Sequence, residues 1–70
     1  MFDYKRLKLK IKEVYETQEA FAKAMSMGYT VLNQRLNNTV DWKAPEIAKA
    51  CDLLHIPLDE AHLYFFTLKV

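Results

Sequence analysis

The sequence is poor in the residues that break or staple a chain. Seventy residues contain one glycine (Gly28), two prolines (Pro45, Pro57) and one cysteine (Cys51). A lone cysteine excludes an intrachain disulfide, and nothing demands an oxidising compartment. So few breakers favour helices with short connections over a strand-rich fold with many turns. No apolar run approaches the ~20 residues of a membrane span, and no apolar segment follows the basic N-terminus as a signal peptide requires. The cytoplasm is the expected location. Net charge is also scarce, at +1, so bulk charge gives no sign of a nucleic-acid partner. A chain of this length buries only ~60% of its unfolded surface. That leaves no room for an enclosed active site beside a core, and no enzyme is expected.

What is present is a globular mixture, 51% hydrophobic and 27% charged, which reads as one domain over residues 1–70. Charge is unevenly placed. Residues 1–12 hold Lys5, Arg6, Lys8, Lys10 and Lys12 against Asp3, whereas residues 41–60 hold Asp41, Glu46, Asp52, Asp59 and Glu60 against Lys43 and Lys49. The basic end is either a solvated helix face or an orienting field for a polyanion.

Periodicity predicts five helices. Asp3 is a cap for a first helix to about Tyr15, with Tyr4, Leu7, Ile11 and Val14 on one face and Leu9 exposed on the other. Thr17 caps a short second helix that buries Phe21 and Met25. Gly28 caps a third, Tyr29 to about Leu36, and an asparagine ends it in the left-handed position. Pro45 suits the first turn of a fourth helix, with Ile47, Cys51 and Leu54 on one face. Leu58 to about Phe65 is a fifth. Trp42 anchors the loop between the third and fourth. The tail FFTLKV alternates in a strand-like period and is expected to be short and extended.

All three asparagines (Asn33, Asn37, Asn38) and one of two glutamines (Gln34) fall within residues 33–38. At ~100° per residue, Leu32 and Leu36 share one face of the third helix, with Tyr29, Thr30, Asn33, Gln34 and Asn37 opposite. A row of neutral donors and acceptors suits a major groove, where an asparagine or glutamine bonds adenine with both amide atoms. It also suits an ordinary solvated face.

The stretch TQEAFAKAMSMGYTVLNQRL, residues 17–36, resembles the helix-turn-helix of the phage Cro and CI repressor family. Thr17 and Gln18 match its opening, Ala22 its small mid-helix residue, and Phe21, Met25, Met27 and Leu32 its apolar positions. The order NNTVDW, EIAKACDLLHIPLDE and YFF looks like small lysis–lysogeny regulators of temperate phages of Gram-positive bacteria. The turn residue, usually glycine, is Ser26. Moving the motif so that Gly28 fills the turn puts Lys23 and Gln34 at apolar positions, so the register with Ser26 stands. Arg35 falls where an apolar residue is common. Leu36 is expected to take over the packing, leaving Arg35 to the DNA backbone or solvent.

The resemblance implies an all-α, lambda repressor-like fold of five helices around a central helix-turn-helix. With the helical geometry, it implies base-edge contacts from Tyr29, Thr30, Asn33 and Gln34, and phosphate contacts from Gln18, Arg35, Asn37, Asn38 and Lys43. Two functions remain open. One is a phage transcriptional regulator on double-stranded operator DNA, working as a homodimer. The other is an antirepressor that modulates repression by binding a CI-type repressor. Phe2, Leu9, Phe65, Phe66 and Leu68 are the candidate partner or dimer contacts. Cys51 and His55, four apart, lack further ligands to complete a metal site, and no cofactor is implied.

Overall fold

A computed structural model describes all 70 residues. Its elements are α1 (Lys5–Tyr15), α2 (Gln18–Ala24), α3 (Tyr29–Leu36), α4 (Ala44–Leu54), a single 3₁₀ turn (Leu58–Glu60) and α5 (Ala61–Phe65). The expected fifth helix is thus divided between a 3₁₀ turn and a short α-helix. No helix is long and apolar enough to cross a membrane.

The apolar stripes meet in one core. Helix α1 contributes Leu7 and Ile11, with Tyr4 just before it, and packs against α2, α4 and α5. Phe21 and Ala22 come from α2 and Met25 from its end, Leu32 and Leu36 from α3, and Ala50, Cys51 and Leu54 from α4. Burying each large aliphatic or aromatic side chain contributes about 1.5–3 kcal/mol. Val14 departs from the expected stripe and is exposed; Tyr15 turns in instead, its ring 5.4 Å from that of Phe21. Helix α1 ends there, so the last inward position is filled by the larger ring. Trp42 pins the loop before α4, its ring edge-on to Phe65 at 5.0 Å.

Helix starts follow local chemistry. The Thr17 hydroxyl accepts the Ala20 N–H at 3.1 Å, a side-chain cap on α2. Asp3 lies one residue outside the expected cap position: Tyr4 precedes the helix and the Asp3 carboxylate accepts the Lys5 N–H at 2.9 Å. Glu46 reaches back to the Lys43 N–H at 2.9 Å and closes the first turn of α4.

Helix ends are made without glycine. Ser26, Asn38 and His55 adopt left-handed backbones, with φ of 60°, 62° and 59°. After each, the chain folds back: Met27 N–H to the Ala22 carbonyl, Thr39 N–H to Gln34, and Ile56 N–H to Cys51, at 3.0, 2.9 and 2.8 Å. That is the Schellman arrangement, which satisfies the last carbonyls of each helix. Gly28 has an ordinary extended backbone at the start of α3. The expected left-handed asparagine is therefore Asn38, and Ser26 does occupy a turn position that favours glycine.

The tail makes one antiparallel bridge, Phe2 with Leu68, rather than a strand. The Asp3 and Lys69 N–H groups donate to the Thr67 and Met1 carbonyls at 2.7 and 3.0 Å. Asn38 completes this clasp. Its Oδ1 accepts the Phe2 N–H at 3.0 Å and its Nδ2 donates to the Phe2 carbonyl at 2.8 Å.

These helix ends separate backbone relief from side-chain bonding. Ser26→Gly is expected to stabilise by about 0.5–1 kcal/mol, because a side chain at φ > 0 is strained. Asn38→Gly relieves the same backbone but loses two hydrogen bonds to Phe2, and is expected to destabilise by about 1 kcal/mol. Thermal unfolding of both variants checks this. Equal gains would show that the Asn38 side chain contributes nothing.

Candidate functional site: the outward face of the third helix

The four-residue connection Met25–Gly28 turns α2 into α3, and the two helices pack together. Leu32 and Leu36 are buried at 0% and 3% exposure and fix which side of α3 faces in. Thr30, Gln34 and Asn37 lie away from them and are exposed, with Asn33 half-buried at their edge; Tyr29, seven residues before Leu36, is not opposite the leucines as expected but is exposed because it begins the helix. None of these five side chains bonds elsewhere in the chain. Gln18 lies half-buried at the start of α2, and Lys43 is exposed just before α4. The structure therefore brings Thr30, Asn33, Gln34 and Asn37 into one stripe, with Tyr29 at the start of the helix and Gln18 and Lys43 on neighbouring elements.

Two residues expected at this face are withdrawn from it. Arg35 is buried, not free for DNA backbone or solvent: its Nε and Nη2 donate to the two carboxylate oxygens of Glu46 at 3.0 and 2.9 Å. A helical wheel explains why, since Arg35 falls at the edge of the inward arc, between the exposed Val31 and the buried Leu32. A guanidinium there needs a planar acceptor, and a carboxylate matches its fork. Asn38 is the second, because both ends of its amide are committed to Phe2.

The pair sets local protonation. Hydrogen bonds from Arg35, and then from the Lys43 N–H, outweigh burial and lower the Glu46 pKa below the ordinary glutamate value. The same bond raises the pKa of Arg35. Burial pushes the Cys51 thiol up, so that it serves as a small apolar core residue. His55 is exposed at the end of α4.

Among the candidate partner contacts, Phe65 is corrected. It is 1% exposed and packs in the core against Trp42. Phe66 and Leu68 are exposed at 51% and 67%, and Leu9 at 61%. Phe2 is half-buried, its ring edge-on to Phe66 at 5.7 Å. Residues 65 and 66 could not be separated by composition; the end of α5 at Phe65 decides which ring turns inward.

The fold is that of a known phage protein. The chain is similar to the solution structure of the modulator of repression (MOR) of the temperate bacteriophage TP901-1 from Lactococcus lactis, at 39% identity and a TM-score of 0.85, over 99% of this chain and 93% of that one. The similarity supports the phage-regulator class expected from the sequence. Residues 1–68 match the family described as "Protein of unknown function (DUF739)", and the chain belongs to that family. No curated protein matches it.

Glu46→Gln tests the ion pair. The Arg35 and Glu46 side chains are 10% and 21% exposed, so removing the negative charge strands a largely desolvated guanidinium. The expected loss is about 2–3 kcal/mol at neutral pH. The lowered Glu46 pKa gives stability that is full above the unfolded value of about 4.3 and lost as pH falls through the folded value. Denaturant unfolding against pH should therefore be flatter on the acid side in Glu46→Gln than in the parent.

Proposed function

We propose that this protein is a phage regulator of the lysis–lysogeny decision that acts in the bacterial cytoplasm by binding the cognate CI-type repressor through the outward face of α3. It is a binding protein rather than an enzyme. The observation that carries this reading is the commitment of Arg35 to Glu46. Cations supply much of the affinity for duplex DNA by neutralising phosphates. With Arg35 spent, the cations left around α3 are Lys23, Lys43 and Lys49, the last already donating to the Met25 carbonyl at 3.1 Å. A surface of tyrosine, threonine and unpartnered amides, poor in charge, has the composition of a protein interface. The similar phage protein is named as a modulator of repression, which supports the same mode. Asp52, Asp59 and Glu60, exposed and unpaired, offer a negative flank to the basic DNA-binding surface of a repressor.

A second reading keeps α2 and α3 as a Cro-type helix-turn-helix on operator DNA. It is favoured by the exposure of Tyr29, Thr30 and Gln34, because Gln34 and Asn33 are suited to adenine edges.

Fluorescence anisotropy separates the two. The protein is titrated against the repressor of the same phage, and against its own promoter duplex beside a scrambled one, each at two salt concentrations. Repressor binding is expected, weakened about tenfold by Tyr29→Ala or Gln34→Ala, with no preference for the promoter. Site-selective operator binding without repressor binding would overturn this. In that case Asn33→Ala or Gln34→Ala should cost ~1–3 kcal/mol on the true site alone.

A further inference from the structure

A groove of about 570 Å³ runs beside α1, and six of its fifteen lining residues are hydrophobic. Its floor includes the buried Ile11 and Leu36 and the half-buried Phe2. Leu9 also borders it, 61% exposed.

The rim is basic. Lys5, Lys8 and Lys12 recur at spacings of three and four on α1, so they share one side of the helix. Lys69 of the tail joins them. All four are exposed, and none is in an ion pair, since the two salt bridges of the chain use Lys10 and Arg35. Two carboxylates also border the groove. Asp3 is engaged by the Lys5 N–H, and Glu16 is exposed.

Lysines alone make a solvated face. Here they stand over exposed apolar surface, and their alkyl stems extend it. A phosphate backbone has no use for Leu9 or Phe2. An amphipathic peptide uses both, placing apolar anchors in the groove and acids toward the lysines. Gln18 and Asn37, which have no side-chain partner within the chain, also line the groove and are available to peptide backbone groups.

We propose that this groove docks an acidic, amphipathic segment of a partner protein, seated by apolar side chains on Phe2 and Leu9 and held by Lys5, Lys8, Lys12 and Lys69. The site does not depend on what α3 binds.

The probe is a short synthetic peptide of glutamate and leucine at helical spacing. Controls are a scrambled peptide of the same composition, a lysine–leucine peptide of the same pattern, and an unrelated DNA duplex. Binding is read by anisotropy and by amide chemical shifts of the full chain. The patterned acidic peptide is expected to bind best and to shift residues of α1, the first three residues and Lys69. Leu9→Gln and the double variant Lys8→Glu/Lys12→Glu should each weaken it about tenfold. All three positions are exposed, so the fold should persist, which the shifts of α4 and α5 verify. Both variants should leave Gln34-dependent binding to repressor or operator unchanged, so the two proposals fail separately. Equal binding of patterned and scrambled peptides, or no effect of Leu9→Gln, would reduce the site to bulk charge and overturn the proposal. Stronger binding of the duplex to the same residues, or the same shifts on self-association without peptide, would replace the occupant.

Discussion

A guanidinium on the inward arc of a helix cannot be buried without an acceptor that matches it, and Glu46 is that acceptor for Arg35. One carboxylate receives three N–H donors: Nε and Nη2 of Arg35 and the backbone N–H of Lys43. It thereby joins the last turn of α3 to the first turn of α4 and fixes the ends of the loop between them. An apolar pair of similar volume can match its stability, but it lacks the direction of a bidentate bond. Direction matters because the rotation of α3 decides which residues face out. Leu32 and Leu36 place the inward side, and Arg35 holds its edge. The stripe from Thr30 to Asn37 is the remainder.

The same economy governs the helix ends. With one glycine in the chain, three helices close through left-handed serine, asparagine and histidine. Each costs backbone strain that glycine would avoid, and after Ser26 and His55 the chain returns to the core at Met27 and Ile56. At Asn38 the residue also does something glycine cannot. Its amide grips Phe2, which in turn bridges Leu68. The end of α3 is thus tied to both chain termini, and the α1 groove is closed on that side by the clasp.

The parts legible in the sequence were those whose causes are local. The period of apolar residues marks five helical segments. The Thr17 cap, the left-handed turn at Ser26, the anchoring role of Trp42 and the exposure of Leu9 each follow from a few neighbouring residues. The parts that escaped have distant partners. Arg35 meets an acid eleven residues away, and Asn38 meets Phe2 thirty-six away. The wheel did carry a sign of the first, since Arg35 lies beside the buried Leu32 at the edge of the inward arc. Nothing short of the tertiary fold identifies Glu46 as its partner. Phe65 and Phe66 differ only in which side of a short helix end they occupy, and Val14 yields to Tyr15 where α1 stops. The stripe on α3 was visible because it is a periodic pattern; its charge was not, because one buried bond removes it.

That removal orders the surface. The free cations lie mainly on α1, the free acids on α4 and the turn after it, and α3 between them in sequence presents amides. A helix that reads DNA works best with cations arrayed around it, because base contacts specify while phosphate contacts hold the protein in place. Here the basic field is offset onto a groove that also offers Leu9 and Phe2. Asn37 belongs to both the α3 stripe and the groove lining, so the two surfaces adjoin. A neutral stripe bordered by a basic, partly apolar groove is better matched to a folded protein and one of its acidic segments than to a uniform polyanion. The burial of Arg35 is what makes the two chemistries separable.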